Sequence, residues 1–214
     1  MINNELYLRG KREDVERILD VIISNNEFTY NKFMPIPAEL DCMMCIQPSQ
    51  TAIQLVKKEQ NNEPLTDDEK KYLDSESDDN ILITNDFEMN KKKLTTREVT
   101  IKQIKLYDKF GAYTWADWCL IHWGTRKPVN ESNVKILINT KILTTVKIEF
   151  DTDYLLPSRF LLCLARLHPN ISIKAVYDVG GNEEETVTLP LDTERLKAMH
   201  KKAVRIALNL QSLA

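Results

Sequence analysis

Residues 113–127 read YTWADWCLIHWGTRK and contain every tryptophan of this chain of 214 residues. At 3.6 residues per turn, Trp115, Cys119 and His122 share one helical stripe. Gly124 follows, and glycine readily adopts the left-handed conformation that commonly ends a helix. The segment therefore predicts a largely buried aromatic helix, which is a core element around which the remaining chain folds.

Strand and helix periodicities alternate on both sides of this segment. Polar and apolar residues alternate in the predicted strands, whereas the predicted helices carry apolar residues three and four positions apart. The predicted elements are, in order, a strand at 5–9, a helix at 15–23, strands at 134–138 and 146–150, a helix from Pro157 to Leu167 and a strand at 171–177.

The order β, α, β, β, α, β predicts an α+β fold of the ferredoxin-like type, with a four-stranded antiparallel sheet and two helices on one face. We expect a single domain over 1–214, whose ferredoxin-like core comprises 1–39 and 111–181. Residues 40–110 lack sustained strand alternation and predict a mainly helical insertion after the first helix. Residues 190–214 predict a C-terminal helical extension.

Three segments resemble one known family. They read YTWADWCLIHWGTRK, FTYNKFMPIPAEL and IEFDTDYLLPSRFLLCLARLHPNISIKAVYDVG, and they are similar to the YubB-type ferredoxin-like family of phage and plasmid proteins. The resemblance covers roughly 4–39 and 111–181, and Tyr154 stands where that family usually has tryptophan. It implies a ferredoxin-like fold in a protein of a phage or another mobile element, located in the host cytoplasm. The family has no settled biochemical activity.

Composition and motifs argue against several functions. The formal net charge is −3, so nothing in the overall charge attracts the chain to nucleic acid or to an anionic membrane. The N-terminus lacks an apolar signal core and the apolar runs are too short to span a bilayer, so we expect a cytoplasmic protein. The sequence has neither a nucleotide-binding glycine motif nor a recognisable pairing of nucleophile and base. We therefore expect a non-enzymatic protein without catalytic residues or cofactor, which binds a host macromolecule and could inhibit a host antiviral defence.

An acid-rich segment lies within the predicted insertion. Residues 63–80 contain eight acids and two lysines, which is typical of a solvated surface and would alternatively suit a basic partner protein. Thr66 and Glu69 predict a capping box that begins a short helix extending through Leu73. The candidate partner-binding residues are Asp67, Asp68, Glu69, Asp74, Glu76, Asp78 and Asp79.

The aromatic segment suggests a different function, binding of a small molecule or nucleotide. Tryptophan rings can stack on a base while a nearby guanidinium holds a phosphate. The candidate ligand-binding residues are Trp115, Trp118, His122, Trp123, Arg126 and Tyr154.

Two further hypotheses are weaker. A zinc site is compatible with the spacings of Cys42, Cys45, Cys119 and His122. However, Cys119 and His122 lie in the predicted aromatic helix, where packing in the core explains their presence. We therefore expect buried thiols and no metal. A third alternative is an RNA-binding ferredoxin-like module, which would need aromatic residues on the open sheet face. That face would carry Tyr7, Lys135, Leu137, Lys147, Glu149 and Lys174, a poor stacking platform.

The C-terminal segment predicts a helix capped by Asp192. Its apolar stripe must be covered, because five apolar positions in one exposed row would favour association. We expect a monomer in which this helix lies across the open sheet face against Leu137 and Val176, with a homodimer through the helix as the alternative. The stripe consists of Leu196, Met199, Ala203, Ile206 and Leu210.

Overall fold

The computed structural model describes residues 2–41, 47–76, 94–129, 131–153, 156–180 and 183–209. They form an α+β fold with a five-stranded antiparallel sheet and several helices. The strands are β1 (Ile2–Gly10), β2 (Ile23–Ser24), β3 (Glu27–Phe28), β4 (Ser132–Asn139), β5 (Thr144–Thr152), β6 (Ser172–Gly180) and β7 (Glu183–Leu189). The helices are α1 (Arg12–Ile22), α2 (Tyr30–Phe33), α3 (Ala38–Asp41), α4 (Gln50–Gln60), α5 (Asp67–Asp74), α6 (Thr96–Phe110), α7 (Trp115–His122), α8 (Ser158–Leu167) and α9 (Thr193–Asn209).

Internal contacts divide the chain into two compact units. The sheet unit comprises Met1–Pro35 and Cys119–Arg205, and the helical unit comprises Ile36–Trp118 and Ile206–Ala214. The helical unit begins and ends close to the insertion predicted at 40–110. The assignment of a single domain over the whole chain stays a prediction.

The large sheet of the sheet unit has the strand order β4-β5-β1-β6-β7. Side chains alternate between its two faces because successive residues of a strand point to opposite sides. Leu6 is fully buried between its cross-strand neighbours Ile148 and Ala175, whereas the next residue, Tyr7, lies on the opposite face. We call the side that carries Leu6 the buried face and the side that carries Tyr7 the open face.

The fifth strand, β7, corrects the prediction of a four-stranded sheet. It pairs with β6 and places Val187 opposite Ala175 and Leu189 opposite Ile173, all four buried. The alternation of threonine with aliphatic residues at 186–189 is the sequence signal for this strand.

Helix α9 docks on the buried face, which corrects its predicted position against Leu137 and Val176. Leu196 is fully buried, and the sulfur of Met199 lies 3.8 Å from the hydroxyl of Tyr177, which shares the buried face with Ala175. Strand β7 widens the apolar area of this face, and α9 helps to cover it. The side chains of residues 206–210, which include two positions of the predicted stripe, lie outside the described part of the chain.

An aromatic cluster forms the core of the sheet unit where α8 and the β2–β3 hairpin meet β5. The ring of Phe28 lies 4.7 Å from that of Phe150 and 5.6 Å from that of Phe160, and Tyr30 lies 5.2 Å from Trp123. Such offset and edge-on pairs add to the stabilisation that comes from burying the rings. The predicted role of the aromatic segment as a core element is thus confirmed for Trp123.

The predicted aromatic helix is confirmed as α7, and it ends as expected. The amide of Gly124 donates to the carbonyl of Leu120 over 3.1 Å, and its φ of +91° lies in the left-handed region. A Cβ atom at Gly124 would lie 2.7 Å from the backbone nitrogen of Ser158. Gly124 therefore permits both the turn and the close approach of α8.

The helical unit packs α4, α5 and α6 around a small apolar core formed by Leu55, Val56 and Leu73. The capping box predicted at Thr66 and Glu69 is confirmed at the start of α5. A second capping box, Thr95 with Glu98, begins α6. Each satisfies backbone N–H groups that a helix start otherwise leaves unpaired.

Candidate functional site

The centre of the open face is an ion-pair network. Glu5 and Glu149 are direct cross-strand neighbours, an unfavourable arrangement for two like charges. Lys147 offsets the repulsion, because its ammonium nitrogen lies 2.6 Å from a carboxylate oxygen of Glu5 and 2.8 Å from one of Glu149. Lys135 approaches the other carboxylate oxygen of Glu149 at 2.7 Å. Four charged groups therefore neutralise one another across β1, β5 and β4.

The protonation states follow from this network. The hydrogen bonds from Lys135 and Lys147 lower the pKa of Glu149 to about 2. Conversely, Glu149 and Glu5 raise the pKa of Lys147. The hydrogen bond from Lys147 also lowers the pKa of Glu5. Glu5, Glu149 and Lys147 are consequently charged at neutral pH, and none of the three is poised to exchange a proton there.

Tyr7 is the aromatic residue predicted for this face. Its hydroxyl donates to Glu5 over 2.7 Å, and the bond raises the pKa of the phenol. The ammonium groups of Lys147 and Lys174 lie 5.7 and 5.6 Å from its ring centre, within the range of cation–π attraction. Since two cations already approach the ring, Tyr7 is better explained as part of the charged network than as a platform for a nucleic-acid base.

An acidic concavity of about 540 Å³ lies beside the network on the sheet, at β1, β6 and β7. Asp178 and Glu184 face each other across β6 and β7 as direct cross-strand neighbours. Glu5 supplies a third carboxylate to the lining. Opposed carboxylates repel each other, and a cationic group placed between them would relieve the repulsion. The lining residues are Asn3, Glu5, Val176, Tyr177, Asp178 and Glu184.

The predicted elements do not indicate this concavity, because Glu184 lies on β7, which is not among them. The strand pattern at 186–189 could have revealed the position of Glu184 on β7. The pairing of Glu184 with Asp178 depends on the register between β6 and β7. That register is set by tertiary packing of the buried side chains.

The predicted ligand-binding tryptophans are mostly buried. Trp123 is fully buried, and its indole nitrogen donates to the carbonyl oxygen of Met34 over 3.0 Å. The ring of Trp123 therefore belongs to the core, and its role in ligand contact stays a prediction that this burial disfavours. In the helical unit Trp118 is 7% exposed, and Trp115 is half-buried.

The remaining candidate ligand residues are His122, Arg126 and Tyr154. His122 is half-buried, and burial and the charge of Arg159 lower its pKa. Burial, Arg159 and His122 likewise lower the pKa of His200 on α9, so both histidines favour the neutral form. Arg126 is exposed, and Tyr154 lies outside the described residues.

Three of the five described acids among the candidate partner-binding residues form ion pairs with basic residues of the same unit. Asp67 lies 3.5 Å from Lys70, and Glu69 lies 3.1 Å from Lys58. Asp74 lies 2.9 Å from Arg97. Asp68 and Glu76 are exposed. Asp78 and Asp79 lie outside the described residues. Pairing of this kind reduces the net negative potential that a basic partner would meet.

The structure describes two of the four residues of the hypothetical zinc site. Cys42 and Cys45 of the hypothetical zinc site lie outside the described residues, whereas Cys119 is fully buried and His122 half-buried. Within the described residues, no three His, Cys, Asp or Glu side chains are grouped as metal ligands. None of the helices in the described ranges is long and apolar enough to cross a membrane.

Comparison of the chain with family models, with curated proteins and with solved structures found no match.

Proposed function

We propose that this protein is a non-enzymatic accessory protein that binds a basic segment of a host protein on its open face, in the acidic concavity. The observation that carries the proposal is the opposition of Asp178 and Glu184 in a concavity of about 540 Å³. The carboxylates of Asp178, Glu184 and Glu5 give the concavity a negative lining. A lysine or arginine side chain of a partner would be attracted to this lining, so the site favours a cationic partner.

The neighbouring network supports a protein partner over RNA. Lys135 and Lys147 are occupied by Glu149 and Glu5, so these lysines have little capacity left for phosphate groups. Tyr7 has two ammonium groups near its ring and offers limited space for stacking of a base. Recognition by electrostatic complementarity would also give the interaction a strong dependence on salt concentration.

The biological setting of the proposal comes from the resemblance to the YubB-type family. A ferredoxin-like assignment for the four strands β4, β5, β1 and β6 is supported by their order and by the connecting helices α1 and α8. On this assignment β7 and α9 are additions to the family core. The host partner would then be a bacterial protein, and inhibition of an antiviral defence is one specific form of the function.

Binding of a small molecule or nucleotide by the aromatic segment is the less favoured alternative. The core position of Trp123 removes one of the three rings on which that hypothesis depends. Native mass spectrometry of freshly purified protein tests it, since a retained nucleotide would revive the hypothesis.

The experiment compares two charge reversals, Glu184→Lys in the concavity and Asp68→Lys on the acidic segment of the helical unit. Both side chains are exposed, so neither substitution should disturb folding. The parent protein is immobilised, a bacterial lysate is passed over it, and retained proteins are identified and then tested individually for affinity.

We expect one partner whose affinity falls at least about tenfold with Glu184→Lys, because reversing one charge costs more than about 1.4 kcal/mol when it opposes a cation at close range. Asp68→Lys should leave that affinity unchanged. The opposite ranking of the two variants would transfer the function to the acidic segment. Retention of no protein above a charge-matched control would refute the proposed function.

A further inference from the structure

Helix α9 carries a histidine within the stripe that docks on the buried face. Its inward side chains recur three and four positions apart, and they are Leu196, Met199, His200 and Ala203. The first and last of these are buried, and the middle two are half-buried. His200 therefore lies about one turn from a buried residue on either side, in the interface between α9 and the rest of the sheet unit.

One ring nitrogen of His200 bonds to α7. It donates to the carbonyl oxygen of Ile121, which belongs to the last turn of α7, where carbonyl groups have no partner within the helix. The other ring nitrogen, Nδ1, is buried and has no hydrogen-bond partner among the described residues. The bond to Ile121 consequently uses Nε2, and the ring is held as the neutral tautomer that carries its proton there.

The surroundings of the ring oppose a second proton. A proton on Nδ1 would be a buried donor without an acceptor, which is costly. Burial, Arg159 on α8 and His122 on α7 all lower the pKa of His200, and they outweigh the bond to Ile121, which raises it. A charged His200 would face the guanidinium of Arg159 and would repel it.

The sheet side of the interface does not supply a compensating acid. Tyr177 and Glu185 face α9 from β6 and β7, but both interact with Arg195, more than one turn before His200. Among the described residues, no carboxylate acts on the ring of His200. A positive charge on this imidazole is therefore stabilised better by water than by the docked interface.

We propose that His200 is a pH switch that holds α9 against the buried face while its imidazole is neutral and releases the helix when the imidazole takes up a proton. Release would expose the apolar side chains of β6 and β7 that α9 helps to cover. The switch lies on the face opposite to the acidic concavity, so it does not rest on the proposed function.

The direction of the pH effect follows from comparing the docked and released states. The ordinary pKa of histidine, 6.5, applies to His200 after release, and its pKa in the docked state is lower. The released state binds more protons between these two values, so docking is strongest above about pH 6.5 and weakens as the pH falls below it. If the ring stays neutral while docked, the equilibrium constant for release rises about tenfold from pH 7.5 to pH 5.5.

The test measures native-state hydrogen exchange of the full chain at pH 7.5 and pH 5.5. Rates are expressed as protection factors, which removes the pH dependence of intrinsic exchange. Amides of α9 should lose protection by about three- to tenfold at the lower pH, whereas those of β5 should change by less than about twofold. An NMR titration of the histidine rings should show His200 taking up its proton below pH 6.5.

Three substitutions locate the effect. His200→Gln keeps an N–H donor for the carbonyl of Ile121 but cannot take up a proton, so α9 should be equally protected at both pH values. Arg159→Gln removes the neighbouring cation at an exposed position and should reduce the loss of protection. The matched control is His168→Gln, which removes a histidine between α8 and β6 and should leave the loss unchanged.

Several results would overturn the inference. They are a parent whose α9 keeps its protection at pH 5.5, an equal loss in β5, a loss that persists in His200→Gln, and a loss that His168→Gln removes. If His200→Gln already lacks protection of α9 at pH 7.5, Arg159→Gln decides the question. A smaller loss than in the parent then supports the switch, and an unchanged loss overturns it.

Discussion

Gly124→Ala should destabilise the sheet unit strongly, because the position imposes two separate constraints. The φ angle of Gly124 is +91°, a region that alanine disfavours. A Cβ atom there would also lie 2.7 Å from the backbone nitrogen of Ser158, 2.8 Å from its hydroxyl oxygen and 3.0 Å from the backbone nitrogen of Arg159. Two of these three atoms belong to the backbone of α8, which cannot move aside as a flexible side chain could.

Each constraint has a typical cost. The left-handed conformation costs a residue with a Cβ atom roughly 1–2 kcal/mol relative to glycine. Forcing an additional methyl group into a packed site costs about 1–3 kcal/mol. We therefore expect Gly124→Ala to lower the free energy of unfolding by about 2–5 kcal/mol, a large part of the stability of an ordinary domain.

The matched variant is Gly111→Ala in the helical unit. Gly111 has a φ of +70°, and a Cβ atom there would meet nothing within 4 Å. Its substitution should lower the free energy of unfolding only by the cost of the left-handed conformation, roughly 1–2 kcal/mol. The difference between the two variants then isolates the steric cost of the approach between Gly124 and α8.

Urea unfolding followed by far-ultraviolet circular dichroism gives the total loss. Native-state hydrogen exchange, read on β5 for Gly124→Ala and on α6 for Gly111→Ala, reports the two units separately. Equal losses for the two variants would refute the reasoning, because the contact with Ser158 would then contribute nothing. A loss that appears only in the slope of the urea curve would also contradict it, since it would indicate a changed denatured state.

Two further predictions concern the network of the open face and the helical unit. The pKa of Glu149 in the folded protein, about 2, lies below its ordinary value of 4.5, so its contribution to stability is complete above about pH 4.5 and is lost as the pH falls towards 2. Glu149→Gln should therefore make the thermal midpoint depend less on pH between these two values. An unchanged pH dependence would show that the ion pairs do not stabilise the fold. Thr66→Ala removes the hydroxyl that accepts from the amide of Glu69 at the start of α5, and it should lower the free energy of unfolding by about 1 kcal/mol. Thr66→Ser keeps a hydroxyl and should retain most of that stability. Equal losses in urea unfolding for the two substitutions would exclude the capping bond as the cause.

Local patterns in the sequence were sufficient for many elements of this protein. Helix α7 and its end at Gly124, the capping box of α5 and the strands on either side of the aromatic segment were all predicted from residue spacing. The physical reason is that helical and strand periodicities, caps and glycine turns depend on residues only a few positions apart. For the same reason the sequence indicated that the aromatic segment belongs to the core.

The candidate sites depended on contacts between residues far apart in the chain. Whether Trp123 binds a ligand or fills the core was decided by its packing against Tyr30 and its bond to Met34. Asp178 and Glu184 lie opposite each other because of the register between β6 and β7. Helix α9 docks on the buried face because β7 adds apolar area to that face. Spacing within the sequence determines which side chains share a face of one strand or helix, and only tertiary packing determines what that face meets.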